Sequence, residues 1–280
     1  PARCNIICEA TADRELTDKI EQQILQKYVK HYHQQDWSRI SRLSGVDNHG
    51  NPVRCELPRA YCLPKLKSIV AALPGLAATN MIKGRPISPH TKHPCKNVYN
   101  RVATGHHFML TKINTQRVTR MWTTKEYKER LHNEAAALQR RHTERGGGRL
   151  CYLHEFGDLD GMYTNISMQR MNEAVRSNIQ RVKDSSEDDR RFPMRILDRI
   201  AVGKSKQDGI DQCHLGPAYN HETQVEIRFS DLTEVCDYSN SHSIMRVGRQ
   251  IRQYIMGTPM GEQGSCAKSN GVCLDDELRI

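Results

Sequence analysis

The stretch LCYLHEFGDLDGMYTNI, residues 150–166, sets the first expectation about the fold of this chain. Its apolar first part, residues 150–156, is typical of a buried strand, and it brings Asp158 to the end of that strand. Thr164 and Asn165 indicate a turn. The next apolar residues recur at helical spacing, at Met168, Met171, Val175, Ile179 and Val182. The sequence therefore predicts a strand, a turn and an amphipathic helix, with a carboxylate where the strand ends.

Length and charge limit the kinds of protein that the chain can be. Its 280 residues are enough for one large domain or two small ones with a real core. It has 42 Lys and Arg against 32 Asp and Glu, a formal charge of +10 that is spread along the chain. This excess favours an anionic partner, nucleic acid before membrane. A basic, solvated surface with no partner is the alternative.

The location of the protein is inferred from the segments that the sequence lacks. No apolar run approaches the roughly 20 residues of a membrane-spanning helix, and no signal-peptide pattern is seen. The ten cysteines have no framework spacing, which favours reduced thiols in an intracellular protein, cytoplasmic or nuclear. Possible zinc groupings, Cys4 and Cys8 with His31 and His33, and His90 and His93 with Cys95, lack paired knuckles. The first residue is Pro1, which indicates a piece of a longer protein.

Several further elements are predicted from local patterns. A helix is expected over residues 15–33, and another is expected to open at Thr123-x-x-Glu126 and to end at the glycines 146–148. Residues 59–88 alternate short apolar runs with Pro and Gly, which favours short strands. The remaining expectations are a loop at 44–52, a helix at 230–238, a hairpin at 244–256 and an irregular, solvent-exposed polar insertion at 183–221. The GKS at 203–205 fails the phosphate-loop spacing.

Asp158 is a candidate metal ligand because Mg²⁺ prefers carboxylate oxygens and keeps substrate phosphates among its other ligands. In two-metal phosphoryl transfer, carboxylates hold two ions about 3.5 to 4 Å apart. An Asp between a strand and a turn is also common as a helix cap, so the motif alone leaves both interpretations open.

Three stretches in order carry a resemblance to a known family. They are LPKLK with KGRPIS (63–67 and 83–88), GDLDGMYTNI (157–166) and MGTPMGEQGSCAKSNGVCLDDE (256–277). Together they resemble the reverse transcriptase family, most closely its Penelope-like and telomerase-type branches. There the fingers carry a PKxHK and an RPI element, and the palm carries D-x-x-x-x-[FY]-T-N-I and then G-x-P-M-G-x-x-x-S-x-x-x-x-N.

The resemblance implies an α+β fold, a fragment of a right-hand polymerase. Residues 1–56 would be an N-terminal helical segment, 57–149 the fingers, and 150–280 a partial palm of antiparallel strands backed by helices. The implied reaction is RNA-directed DNA synthesis, the transfer of a nucleotide from a dNTP to a primer 3′-hydroxyl with two Mg²⁺ ions, or Mn²⁺. The implied partners are an RNA template, a DNA primer and a dNTP, with no membrane.

The resemblance also assigns roles near the first palm motif. Asp158 would be the catalytic metal ligand, with the backbone carbonyl of Leu159 beside it, while Asp160 would face solvent. Lys65 and Arg85 would neutralise the triphosphate. Tyr163 would lie under the incoming sugar and exclude a 2′-hydroxyl.

A second group of roles falls on the later palm motif. Gln253, Gly257, Pro259 and Gly261 would contact the nucleotide, because glycine permits close approach of the backbone and positive φ. Ser265 and Asn270 would contact template or primer, from the helix that follows.

The chain departs from the family pattern in several places. Glu262, Gln263 and Gly264 replace small or Pro residues, and Cys266 and Lys268 replace Pro and an apolar residue. Tyr254 stands where the family has Gln, with Gln253 one place away. The third palm motif, Tyr-x-Asp-Asp, is absent. The Asp pair in CLDDEL (273–278) lies too close to Asn270 to replace it, and Asp276 with Glu277 fits the polar end of a helix.

Two other functions remain open on sequence alone. A viral-type RNA-dependent RNA polymerase shares the implied fold, but it commonly has a second Asp at the position of Tyr163. A non-catalytic nucleic-acid-binding derivative of a reverse transcriptase would agree with the altered second motif.

Overall fold

The computed structural model describes residues 4–8, 14–64, 84–113, 124–148, 165–187, 198–205 and 209–279. The helices in these ranges are α1 (Arg14–Gln34), α2 (Lys96–Lys112), α3 (Thr124–Glu144), α4 (Met168–Glu187), α5 (Phe229–Ser241) and α6 (Ser265–Glu277). The strands are β1 (Cys4–Cys8), β2 (Tyr61–Pro64), β3 (Gly84–Ile87), β4 (Arg199–Gly203), β5 (His214–Leu215), β6 (Gln224–Arg228), β7 (Ile244–Val247) and β8 (Gln250–Tyr254). The class is α+β, as the sequence predicts.

Three small antiparallel sheets are formed by the described strands. One has the order β1-β8-β7, and Cys4 pairs with Tyr254 at its edge. A second joins β2 to β3 with Leu63 opposite Arg85, and the third has the order β5-β4-β6. The hairpin of β7 and β8 and the short strands at both ends of residues 59–88 confirm two sequence predictions.

The main core lies between α1, α2, α5 and the strands packed on them. Leu25, Trp37, Leu110, Leu232 and Ile251 are fully buried in it. The helix predicted over 15–33 is confirmed as α1, and its Ile24, Tyr28 and Tyr32 face this core. Leu16, expected on the same side, is 43% exposed because it lies in the first turn, beyond the edge of the core.

Two more predicted helices are confirmed. In α4, Met171, Val175, Ile179 and Val182 are buried, as their spacing predicts. The glycines after α3 end it, since Gly146 adopts a φ of +77° and the amide of Gly147 donates to the carbonyl of His142 at 3.0 Å. The side chain of Leu138 on α3 is 43% exposed, so the side predicted to be buried is open there.

The prediction of an irregular, exposed insertion at 183–221 is wrong for its middle part. Strand β4 lies within it, and Ile200, Ala201 and Val202 are buried. The reason is pairing on both edges of β4, with β5 and β6, and contact of the sheet with α2. The nearby charges of 184–191 hid this short apolar run.

Candidate functional site

The loop of residues 257–264, which we call the GTPMG loop, connects β8 to α6. Gly257 has a φ of +79° and Gly261 a φ of +103°, conformations that favour glycine. A Cβ on Gly261 would lie only 3.1 Å from the Cα of Pro89 and from the carbonyl oxygen of Ser88. The close approach at Gly261 is therefore to the backbone of residues 88–89, and contact of these glycines with a nucleotide stays a prediction.

The GTPMG loop is hydrogen-bonded to the segment that follows β3. The amide of Ser88 donates to the carbonyl of Met260 at 2.7 Å, and the amide of His90 donates to the carbonyl of Gly261 at 3.3 Å. Ile87 and Met260 also form an isolated parallel bridge. The KGRPIS stretch is thus joined to the GTPMG loop by main-chain hydrogen bonds.

The same loop contacts the end of the GDLDGMYTNI stretch. The amide of Gly257 donates to the carbonyl of Ile166, with the nitrogen and oxygen 2.8 Å apart. The GTPMG loop, the KGRPIS stretch and the end of the GDLDGMYTNI stretch are far apart in the sequence. They are therefore brought together by tertiary contacts at this loop.

A buried ion pair holds the GTPMG loop to α5 and α6. The Nζ of Lys268 lies 2.7 Å from Oε1 of Glu262, and both side chains are 2% exposed. The ammonium also donates to Oγ of Ser239 at 2.7 Å and to Oδ1 of Asn240 at 2.8 Å. All three of its N–H donors can therefore be used, which a buried charge requires.

The charge on Glu262 is stabilised by its surroundings. Burial alone would raise the pKa of this carboxyl, but attraction to Lys268 and hydrogen bonds from Lys268 and Thr258 hold its pKa below the usual value. The Oγ1 of Thr258 lies 3.2 Å from Oε2 of Glu262. The two departures from the family pattern at 262 and 268 are thus one interaction. Opposite charges at two positions that are usually neutral were the available sequence signal, and its meaning was missed.

Pro259 in the GTPMG loop and Ser265 at the start of α6, two of the predicted contact residues, are both buried. Ser265 is 4% exposed, and its hydroxyl donates to the carbonyl of Pro259 at 2.5 Å. The Oγ1 of Thr258 lies 3.1 Å from the same hydroxyl. In this structure Ser265 therefore closes the loop, and template or primer contact by its side chain stays a prediction.

The other predicted residues of this motif lie at its edges. Asn270 is half-buried on α6, with its Nδ2 3.4 Å from Sγ of Cys266. The side-chain amide of Gln253 donates to the carbonyl of Ser241 at 2.5 Å, on the hairpin rather than in the loop. Tyr254, at the position where the family has Gln, is 8% exposed.

The two adjacent Asp residues of CLDDEL, Asp275 and Asp276, form ion pairs with arginines. Asp275 is fully buried and pairs with Arg170 at 2.6 Å, with Arg279 at 2.9 Å and with Arg181. Burial would raise the pKa of Asp275, but its hydrogen bonds hold that pKa below the usual value. The pair lies at the end of α6, which confirms the helical interpretation of these residues.

The remaining predicted residues lie outside what the structure describes. Asp158, Leu159, Asp160, Tyr163 and Lys65 are outside the described residues, and so is the strand predicted at 150–156. Arg85 is described only by its backbone in β3. Within the described ranges, no three His, Cys, Asp or Glu side chains converge as a metal site. The roles of these residues stay predictions.

Comparisons complete the description of the site. Searches against protein-family models, curated proteins and solved structures gave no match for this chain. Across the described residues, none of the helices has the length and apolar character needed to cross a bilayer.

Proposed function

We propose that this chain forms the fingers and a partial palm of an RNA-directed DNA polymerase, which transfers a nucleotide from a dNTP to a primer 3′-hydroxyl on an RNA template. The observation that supports it best is the meeting of three stretches at the GTPMG loop. Ser88 reaches it from KGRPIS, His90 reaches it from two residues beyond that stretch, and Ile166 reaches it from GDLDGMYTNI. A polymerase needs these stretches together, because triphosphate, metal and template base must meet at one point.

In this reaction the predicted site residues would bind the metal ions, the triphosphate and the nucleotide. The carboxylate of Asp158 and the carbonyl of Leu159 offer the hard oxygen donors that suit Mg²⁺ or Mn²⁺. Two such ions would activate the attacking hydroxyl and stabilise the leaving oxygen. Lys65 and Arg85 would bind the triphosphate, while the GTPMG loop would support the nucleotide through its backbone.

The Glu262–Lys268 pair fits this proposal because it holds the loop in one conformation. On one side of the loop, the polar atoms of the pair are hydrogen-bonded to α5 and to Thr258 of the loop itself. The backbone of Met260 and Gly261 is held from the other side by Ser88 and His90. A loop fixed on both sides can position a nucleotide without being reordered when it binds.

The test is primer extension on an RNA template, with this chain and with the longest open reading frame that contains it. Asp158→Asn should abolish extension and leave template binding nearly unchanged, because the loss falls on transition-state charge. Asp160→Asn is the matched control and should have much less effect. Equal losses from both variants, or extension that survives Asp158→Asn, would contradict the proposal.

The same assay tests the assignment of Tyr163. Tyr163→Ala should raise ribonucleotide use relative to deoxynucleotide use by about 10- to 200-fold, the general range for relieving one steric clash. A melting measurement provides the control. If the ring is instead part of the core, the variant should lose about 3 to 5 kcal/mol of stability with selectivity unchanged. Preference for ribonucleotides in the unsubstituted protein would favour an RNA-dependent RNA polymerase.

A non-catalytic nucleic-acid-binding derivative is the second candidate. It is favoured by the buried Glu262–Lys268 pair, which places charge where the family has neutral residues. Template binding without any extension by the longer protein would support this second function over the first.

A further inference from the structure

A cleft of about 640 Å³ opens between the first half of α1, the segment 55–60 and the turn that joins β7 to β8. We call it the arginine cleft, because Arg14, Arg59, Arg246 and Arg249 line it. Its size is within the roughly 300 to 1,000 Å³ of ordinary ligand sites. None of its described lining residues belongs to the GTPMG loop, so it is a separate feature of the surface.

The carboxylates of the cleft are already paired with cations. The Nη1 of Arg246 lies 2.8 Å from Oδ1 of Asp18 and 2.6 Å from Oε2 of Glu21. Glu21 also accepts a hydrogen bond from the amide of Leu57 at 2.8 Å. These contacts hold the side chain of Arg246, which is 12% exposed, at the bottom of the cleft, where the two carboxylates neutralise its charge.

The cations at the mouth of the cleft are in excess. Glu56 is shared between Nε of Arg59 at 3.2 Å and Nζ of Lys92 at 2.5 Å. Four arginines face three carboxylates among the described lining residues, and Lys92, which contacts Glu56 from outside the lining, brings the excess of positive charge to two. Arg249 is exposed and has no ion pair or side-chain hydrogen bond within the described ranges.

We propose that the arginine cleft binds the phosphodiester backbone of a single-stranded nucleic acid. Guanidinium groups match phosphate geometry and bind it in a bidentate manner. No aromatic ring occurs among the described lining residues, so the cleft lacks the stacking surface that base contacts use. Binding should therefore be electrostatic and independent of sequence.

This inference deepens the proposed function and rests on it for the choice of RNA as the strand. It would give the template a contact on α1, outside the GTPMG loop. The phosphate groups could also belong to a free nucleotide, and the experiment separates these two sources.

The experiment measures binding of the chain to fluorescently labelled 12-nucleotide oligo(U) and oligo(A) RNA by anisotropy, at several salt concentrations. The two RNAs should bind with similar affinity. Arg59→Gln with Arg249→Gln should weaken binding and reduce the log-log salt slope by about 0.7 for each phosphate that is no longer neutralised, or about 1.4 for the pair. Arg176→Gln is the matched control, because this exposed arginine pairs with Asp237 outside the cleft. It should leave the slope unchanged.

Several results would overturn the inference. An unchanged slope in the double variant would do so. If polyglutamate is used as a second polyanion, a double variant that loses binding to polyglutamate but keeps its binding to RNA would also do so. Binding of inorganic phosphate or dNTP in the cleft without RNA binding would assign it to a small phosphorylated ligand instead. If the double variant fails to fold in a melting measurement, Arg249→Gln alone decides, because its side chain supports no other described residue.

The outcomes are distinguishable from failure of the proposed function. Absence of primer extension together with the expected change in slope would contradict the polymerase and leave the cleft as a binding site. Extension with an unaltered slope in the double variant would contradict only the cleft.

Discussion

At the scale of single residues, Glu262 and Lys268 behave as one unit. Each is costly to bury alone, and together they use the hydroxyl of Ser239 and the amide of Asn240 to satisfy the remaining donors. Replacing buried ion pairs as a whole is often tolerated, whereas removing one partner is not. The pair and its hydrogen bonds therefore act together in holding the GTPMG loop to α5 and α6.

The pair predicts strongly non-additive stabilities. Lys268→Met should cost about 3 to 5 kcal/mol of unfolding free energy, because it leaves the Glu262 carboxylate buried without a counter-ion. The double variant Glu262→Gln with Lys268→Met should be clearly more stable than the Lys268→Met variant. Urea unfolding of these two variants and of Glu262→Gln alone measures this, and single losses that add to the loss in the double variant would show that the two side chains do not interact.

At the scale of elements, the contact between the GTPMG loop and the end of β3 depends on a missing side chain. Gly261 and Gly50 both have positive φ, but a Cβ on Gly50 would meet nothing within 4 Å. Gly50→Ala should cost about 1 to 2 kcal/mol, the usual penalty for left-handed backbone. Gly261→Ala should cost about 1 to 3 kcal/mol more, because the new methyl group overpacks against Ser88 and Pro89.

Hydrogen exchange gives the second measurement for this contact. In Gly261→Ala the amides of Ser88 and His90 should lose protection, since their acceptors are the carbonyls of Met260 and Gly261. In Gly50→Ala they should keep it. Equal protection and equal stability in the two variants would mean that the GTPMG loop and residues 88–90 are held together by other contacts.

The elements also show how far sequence patterns reach. Helices α1 and α4 were predictable because their apolar residues recur at helical spacing, and the β7–β8 hairpin was predictable from two short strand-like stretches that flank Gly248. Strand β4 was not, because its burial depends on pairing with β6, which begins 21 residues after β4 ends. Helix α2 also went unpredicted, although Val98, Val102 and Met109 are spaced for one buried face.

The candidate site was predictable in part for a similar reason. The motifs located the GTPMG loop by its glycines, and the resemblance placed Ser265 and Asn270 on the helix that follows, which is α6. They could not show that Ser265 points into the loop, or that Asp275 is enclosed by arginines from α4. Those are tertiary contacts, and no residue pattern along the chain encodes them directly.

At the scale of the whole molecule, buried histidines should make stability depend on pH. Burial lowers the pKa of His106 to about 3 and holds the pKa of His93 well below its usual value. The pKa of His90 is shifted in the same direction, also chiefly by burial. The folded protein thus keeps these rings neutral, while the unfolded chain binds protons below about pH 6.5.

The direction in which stability changes with pH follows from this difference in the number of protons bound by the folded and unfolded states. Stability should be fully present above about pH 6.5 and should fall as the pH drops toward the folded pKa values, by up to about 1.4 kcal/mol per pH unit for each buried histidine. Urea unfolding at pH 7 and pH 5 measures the loss. His106→Gln should reduce the dependence by one histidine's share, and a stability that stays level between the two pH values would contradict it.

The pairing of β1 with β8 has a consequence for how the chain folds. Cys4 lies opposite Tyr254, so two strands far apart in the sequence form one ladder. On a ribosome β1 is made 242 residues before β8 begins, so it has no partner strand during that time. Such a long-range closure is slow, and an unpaired strand is open to association with other chains in the meantime. Refolding yield should therefore decrease as protein concentration rises, even where the folded state itself is stable.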